Sequence, residues 1–192
     1  MINPNHIAFL SLLLLPSFAW ADADAETTLR EGMDEVLAIT DNAAGGRAMA
    51  DKLQPVLERR ISFESMTRRA IGPGWRQFTP AEQKKAAELF TKLIVRNYSN
   101  KFTPGEKAEI KYLKGTSPAP GKIEIPTTMI YKGSRYNIIY RMENRGQWLV
   151  TDILAEGVSL VANYRAQFDE LFKKGGAAAV LDSLEESVAR IS

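Results

Sequence analysis

The strongest constraint on this chain is a change of hydrophobic period partway along it. Up to Lys101 the apolar residues recur at helical spacing, from Glu106 to Ala155 they alternate with polar ones, and from Val158 to Ile191 the helical spacing returns. Pro104-Gly105 stands at the first switch, where a helix cannot continue. Within the alternating block, Gly133-Ser134 and Asn144-Arg145-Gly146 are hairpin turn signals. The pattern predicts an α+β fold: a twisted antiparallel four-stranded sheet over residues 106–114, 121–132, 135–143 and 147–155, packed against several helices. On the third strand, Tyr136, Ile138, Tyr140 and Met142 face one way, and only that face reads as fully buried.

The helices carry their own punctuation. Thr28 and Glu31 resemble a capping box ahead of Leu29, Met33, Val36 and Leu37, and Gly45-Gly46 ends that helix. A second helix carries Met49, Leu53, Val56 and Leu57, and Pro55 is expected to bend or stop it. A short third helix over residues 63–70 runs into Ile71-Gly72-Pro73-Gly74. The plainest start is Thr79-Pro80-Ala81-Glu82, with Thr79 as cap, Pro80 at the first helical position and Glu82 closing the box. That helix, running to about Lys101, has an inner stripe of Ala86, Phe90, Leu93, Ile94, Asn97 and Tyr98 and a wet one of Lys85, Glu88, Lys92, Arg96 and Ser99. Gly175-Gly176 divides the C-terminal stretch into two helices, both able to lie across the sheet.

An apolar run from Ile7 to Leu15, followed by Ala19-Trp20-Ala21, reads as a cleaved secretory signal over residues 1–21. The run is too short to span a bilayer, which takes roughly 20 residues. With no Cys in the chain, a lipoprotein anchor is excluded. Residues 22–192 are then expected to form one domain in the periplasm. Its 25 basic and 23 acidic residues leave a net charge of +2, too mild to predict nucleic-acid binding.

The single His is His6, inside that signal, so the mature chain has neither His nor Cys. Triad hydrolysis, cysteine nucleophiles and ordinary zinc sites lose their usual residues, and no catalytic carboxylate pair or metal cluster is visible. The expectation is a protein that is not an enzyme and holds no cofactor or metal. Trp148 and Asp152, two apart twice over on one strand, are placed on one face; there Trp148 packs, and Asp152 accepts hydrogen bonds from the turn or pairs with a base such as Arg165. The basic pairs Arg59-Arg60, Arg68-Arg69 and Lys84-Lys85 read first as solvated helix faces and second as a docking surface.

The passage from Trp148 through Asp152, Glu156-Gly157-Val158-Ser159 and Asn163-Tyr164-Arg165 to Phe168 resembles the MlaC-like family, also called the toluene-tolerance family. The stretch from Leu89 to Tyr98, the Phe78-Thr79-Pro80-Ala81-Glu82-Gln83 helix start and the Gly72-Pro73-Gly74-Trp75 turn extend the resemblance over residues 63–184. These proteins are periplasmic phospholipid shuttles, with a subgroup tied to hopanoid synthesis. The resemblance implies helices enclosing an apolar lipid pocket against the sheet, and a cargo of phospholipid or a related lipid. It implies as partners an inner-membrane ABC transporter complex and an outer-membrane lipoprotein complex, with the carrier itself a monomer.

Under that resemblance, Ile138, Tyr140 and Met142 with Ile125 and Met129 on the neighbouring strand are candidate lipid contacts; on alternation alone they are equally ordinary sheet core. Leu93, Ile94 and Tyr98, with Val158, Val161 and Tyr164, are candidates for the opposing wall, or else plain helix-on-sheet packing. Asn97 is the sharper sign, because a polar amide on an inner stripe needs a partner or water, which a pocket mouth supplies. Two other classes stay open: an envelope chaperone or interaction module with an apolar groove, and a small acid-base enzyme using Asp152 or a tyrosine.

Overall fold

A computed structural model of the chain describes residues 18–191. The expected signal segment lies, as far as residue 17, outside the described residues. Five helices are joined to an antiparallel sheet: α1 (Phe18–Asn42), α2 (Arg47–Arg60), α3 (Phe63–Ile71), a 3-10 turn (Gly72–Gln77), α4 (Pro80–Ser99), then β1 (Ala108–Tyr112), β2 (Thr116–Ala119), β3 (Lys122–Tyr131), β4 (Ser134–Asn144), β5 (Trp148–Ala155), β6 (Val158–Ser159) and α5 (Leu160–Arg190). The sheet order is β1-β3-β4-β5-β6, with β2 also on β3. The α+β class and antiparallel meander are as expected, but the sheet has six strands where the alternation predicted four.

Both extra strands have local causes. Pro126 in β3 accepts the Leu113 amide through its carbonyl at 2.9 Å, so the place of its missing N–H faces the same edge. The edge strand loses its ladder there and splits: Tyr112 pairs with Thr127, and pairing resumes one register out, Thr116 with Glu124. β6 exists because Glu156 and Gly157, with φ of 49° and 79°, make a two-residue hairpin turn that lays Val158 against Ala155. Glu156 holds that backbone by giving its N–H to Asn137 O at 2.9 Å and accepting the Asn137 N–H on its carboxylate at 2.5 Å.

Three helix expectations change. Thr28 does not cap, since α1 begins upstream; its hydroxyl donates instead to Asp24 O. Pro55 does not stop α2, which runs from Arg47 to Arg60 with Pro55 on its exposed side, and packing of Met49, Leu53 and Val56 outweighs the lost hydrogen bond. Ser99, assigned to the wet stripe, is buried, with its hydroxyl donating to Arg96 O. The α4 start is as predicted: Thr79 N–H donates to the Glu82 carboxylate at 2.7 Å, and Glu82 N–H donates to Thr79 Oγ1 at 3.3 Å. In α5, Gly176 at φ 64° breaks the helix at the expected glycine pair.

One core joins all layers. Met49, Met66, Ile71, Phe90, Ile125, Met142 and Leu184 are almost wholly enclosed. Phe90 meets Tyr164 edge-on with ring centres 4.9 Å apart, fixing α4 against α5. The inner sheet face carries Ile123, Ile125, Thr127 and Met129 of β3 opposite Met142, Tyr140, Ile138 and Tyr136 of β4.

A bulge alters β5. Arg141 pairs with Asp152 but Met142 with Val150, leaving Thr151 as the inserted residue. Trp148 and Val150 therefore share the inner face with Met142, while Asp152 lies with Arg141 on the outer one. The expectation that Trp148 and Asp152 share a face is corrected, because one inserted residue reverses the alternation.

Candidate functional site

Along the inner face of β4, burial rises steadily. Tyr136 is 39% exposed, Ile138 is half-buried, Tyr140 is 9% exposed and Met142 is 1% exposed. Exposure therefore grows toward the Tyr136 end, where the helices leave the inner face of the sheet uncovered. Full burial of this stripe was expected, and the open end departs from it.

Around the uncovered end, strand register and helix position place a ring of side chains. Met129 pairs with Tyr136 across β3 and β4, Ile138 pairs with Ala155 of β5, and Ala155 pairs with Val158 of β6. One turn into α5, Val161 is half-buried, and Tyr164 follows on the same helical face. The Asn97 amide of α4 lies near enough to the Tyr164 hydroxyl to lower its pKa, and Tyr98 also interacts with Tyr164. Beyond α4, Phe102 meets Tyr131 edge-on with ring centres 5.6 Å apart, and the Tyr131 hydroxyl accepts the Thr103 N–H at 2.7 Å. Tyr131 ends β3 two residues after Met129, which closes the ring.

The predicted residues divide between ring and floor. Leu93, Ile94, Ile125, Tyr140 and Met142 lie in the closed core beneath the opening. Asn97, Met129, Ile138, Val161 and Tyr164 are half-buried, and Tyr98 and Val158 are exposed, Val158 by 62%. Phe102, Tyr131 and the half-buried Ile153 were not named from the sequence; Phe102 and Tyr131 meet across a loop, which no periodicity reports.

The polar groups here are neutral. Burial pushes the phenols of Tyr98, Tyr112, Tyr140 and Tyr164 above the ordinary tyrosine value, away from neutral pH. Asn97 pulls Tyr164 back only in part. Aliphatic side chains, thioethers and un-ionised phenols make this end of the inner face suited to contact with hydrocarbon. Among the described residues no cluster of three or more His, Cys, Asp or Glu could hold a metal ion.

Asp152 serves the scaffold. Its carboxylate accepts the Ser159 hydroxyl at 2.6 Å, the Val161 N–H at 3.1 Å and the Arg141 guanidinium at 3.2 Å. The base is Arg141 and not Arg165, which pairs with Asp169 at 2.8 Å. The basic pairs are largely spent inside the fold: Arg59 and Arg60 on Glu35, Arg69 on Glu143, and Lys85 on Glu185. Two surface hollows lie apart from the ring. One, of about 600 Å³, runs among Glu58, Ser62, Trp75, Gln83 and Thr91 on the helical side. The other, of about 450 Å³, sits on the outer sheet face at Lys111, Leu113, Ile130 and Arg135.

Helices packed on one face of a twisted antiparallel sheet, with the apolar inner face left uncovered at one end, define an α+β protein with an exposed apolar surface. The chain belongs to the MlaC protein family, whose family model matches residues 30–186. No curated protein matches it. Among solved structures it is similar to the phospholipid-binding protein from Ralstonia solanacearum, determined in complex with a phospholipid. The two share 26% identity at a TM-score of 0.81, over 88% of this chain and 98% of that one.

Proposed function

We propose that this protein binds phospholipid, or a related lipid such as a hopanoid, by its hydrocarbon, and carries it through the periplasm between an inner-membrane ABC transporter complex and an outer-membrane lipoprotein complex. The observation that carries the reading is the burial gradient along Tyr136, Ile138, Tyr140 and Met142 inside the apolar ring. Membership of the MlaC family and the phospholipid-bound relative support it.

The energetics explain why cover is the whole task. Two chains of about fifteen carbons, at ~0.8 kcal/mol per exposed methylene, cost roughly 24 kcal/mol in water. A tail entering past Val161 and Ile138 reaches Leu93, Ile94, Ile125, Tyr140 and Met142, which part to admit it. Met129 and Met142 give most readily, being unbranched and polarisable. The head group stays at the ring, where Asn97, Tyr98 and Tyr164 offer neutral hydrogen-bonding partners. In this reading residues 1–21 are the secretory signal, residues 22–192 act as a monomeric carrier with no cofactor, and no reaction is catalysed. Native mass spectrometry of protein expressed in a Gram-negative host tests it: one lipid per chain is expected, and protein that is lipid-free and takes up none when offered vesicles refutes the reading.

A further inference from the structure

The outer face of the sheet holds a feature that lipid carriage leaves unused. Lys111 and Leu113 at the β1 edge, Thr128 and Ile130 of β3 and Arg135 of β4 share this face, since Lys111 pairs with Thr128 and Ile130 with Arg135. Leu113 and Ile130 are 43% and 40% exposed, large apolar groups left in water at opposite ends of the hollow, with Lys111 and Thr128 between them. Cations flank them. Residues 101–135 hold seven basic and three acidic residues, a net charge of +4, against +2 for the whole chain.

Lys111, Lys114 and Arg135 form no ion pair with an acidic group among the described residues, whereas Lys122 is paired with Glu143 and Arg141 with Glu124. Glu109, on the same face, is the one acidic side chain at the hollow and offsets a single charge. Apolar groups interleaved with long, unpaired cations are suited to a bilayer interface, where the aliphatic groups enter the head-group region and the cations meet lipid phosphates. An acidic protein surface would match the charges but not the exposed Leu113 and Ile130.

We infer that the outer face of the β1–β3–β4 corner docks on the surface of an anionic bilayer. The inference rests on the lipid-carrier reading in one respect, that the position is useful. Ile130 and Arg135 lie next along their strands to Met129 and Tyr136, which point to the opposite face and belong to the ring. Docking by one side of this hairpin end holds the mouth on its other side beside the membrane.

Cosedimentation with vesicles tests the surface, using phosphatidylcholine alone and phosphatidylcholine mixed with phosphatidylglycerol. The wild-type protein is expected to partition to the mixed vesicles and not to the neutral ones, and to be released as salt rises. Each cation near an anionic surface contributes about fivefold to partitioning, so Lys111→Glu with Arg135→Glu lowers it by more than about tenfold. Leu113→Ser with Ile130→Ser lowers it severalfold. All four residues are exposed or at an edge, and thermal melting confirms that the variants stay folded. Failure of wild type to bind the mixed vesicles, or binding that both double variants leave intact, overturns the inference. Loss with the charge variants alone and none with the serine variants overturns the part given to Leu113 and Ile130 and leaves a purely electrostatic contact. Native mass spectrometry on the same samples separates the two readings: vesicle binding without bound lipid removes the carrier and leaves the docking surface, and bound lipid without vesicle binding does the reverse.

Discussion

The Ser159 hydroxyl donates to the Asp152 carboxylate at 2.6 Å while accepting the Ala162 N–H at 3.0 Å. One buried acid thus ties the end of β5 to the cap of α5, and Val161, next to that cap, takes its place on the ring from it. Asp152→Ala removes its bonds to Ser159, Val161 and Arg141 at once and strands the Val161 N–H, while Arg141 keeps Glu124 at 2.7 Å. It is expected to lower stability by about 2–4 kcal/mol in urea unfolding, with Asp152→Asn losing less because its oxygen still accepts.

If the ring admits lipid, obstructing it reduces loading without unfolding the chain. Val161→Trp fills half-open space, and Ile138→Asp puts a charge where a tail must pass. Each is expected to cut the lipid-bound fraction in native mass spectra severalfold, with melting points within a few degrees of wild type. Normal loading by both variants places the lipid elsewhere.

Much of this was legible from period alone. The α4 capping box, the glycine break at Gly176 and the course of β3 to β5 follow from residue spacing, since caps, turns and alternation are local. The Thr151 bulge was not, because one inserted residue leaves no mark in the sequence and still reverses which face Trp148 and Val150 occupy relative to Asp152. Pro126 carried the sign of the split edge strand, but only in combination with knowing which neighbour its missing N–H faces. The inner stripes followed the period, but Tyr98 and Tyr136, placed on them, are 42% and 39% exposed. Which of their members line the opening depended on where α4 and α5 stop covering the sheet, and that is a tertiary property.

Gly72 reports how closely α3 and α5 are joined. Its φ is 67°, and a methyl group added there would collide with the Arg165 guanidinium, which donates to Arg69 O at 3.2 Å. Gly72→Ala combines backbone strain with that clash and is expected to cost about 2–3 kcal/mol. Adding Arg165→Ala relieves the clash but not the strain, so the double variant should recover only part of the loss. Full recovery in thermal unfolding would show that the backbone conformation costs nothing.

Acid stability should depend on Glu143. Burial raises its acidity constant's pKa, but Arg69 at 2.6 Å and Lys122 at 3.3 Å outweigh that and hold it below the ordinary carboxylate value of 4.5. A carboxyl depressed by folding contributes stability fully above its unfolded value, and the contribution fades as pH falls through the folded one. The melting point is therefore expected to drop on acidification below about pH 4.5, as Glu143 and other paired carboxylates protonate. Glu143→Gln keeps the shape and removes the charge, so at neutral pH it should cost about 1 kcal/mol, partly screened because Arg69 reaches solvent. At low pH the variant and wild type should converge, because the wild-type group is then neutral as well. A difference in melting point that stays constant from neutral pH into the acid range would assign the loss to packing and not to the charge of Glu143.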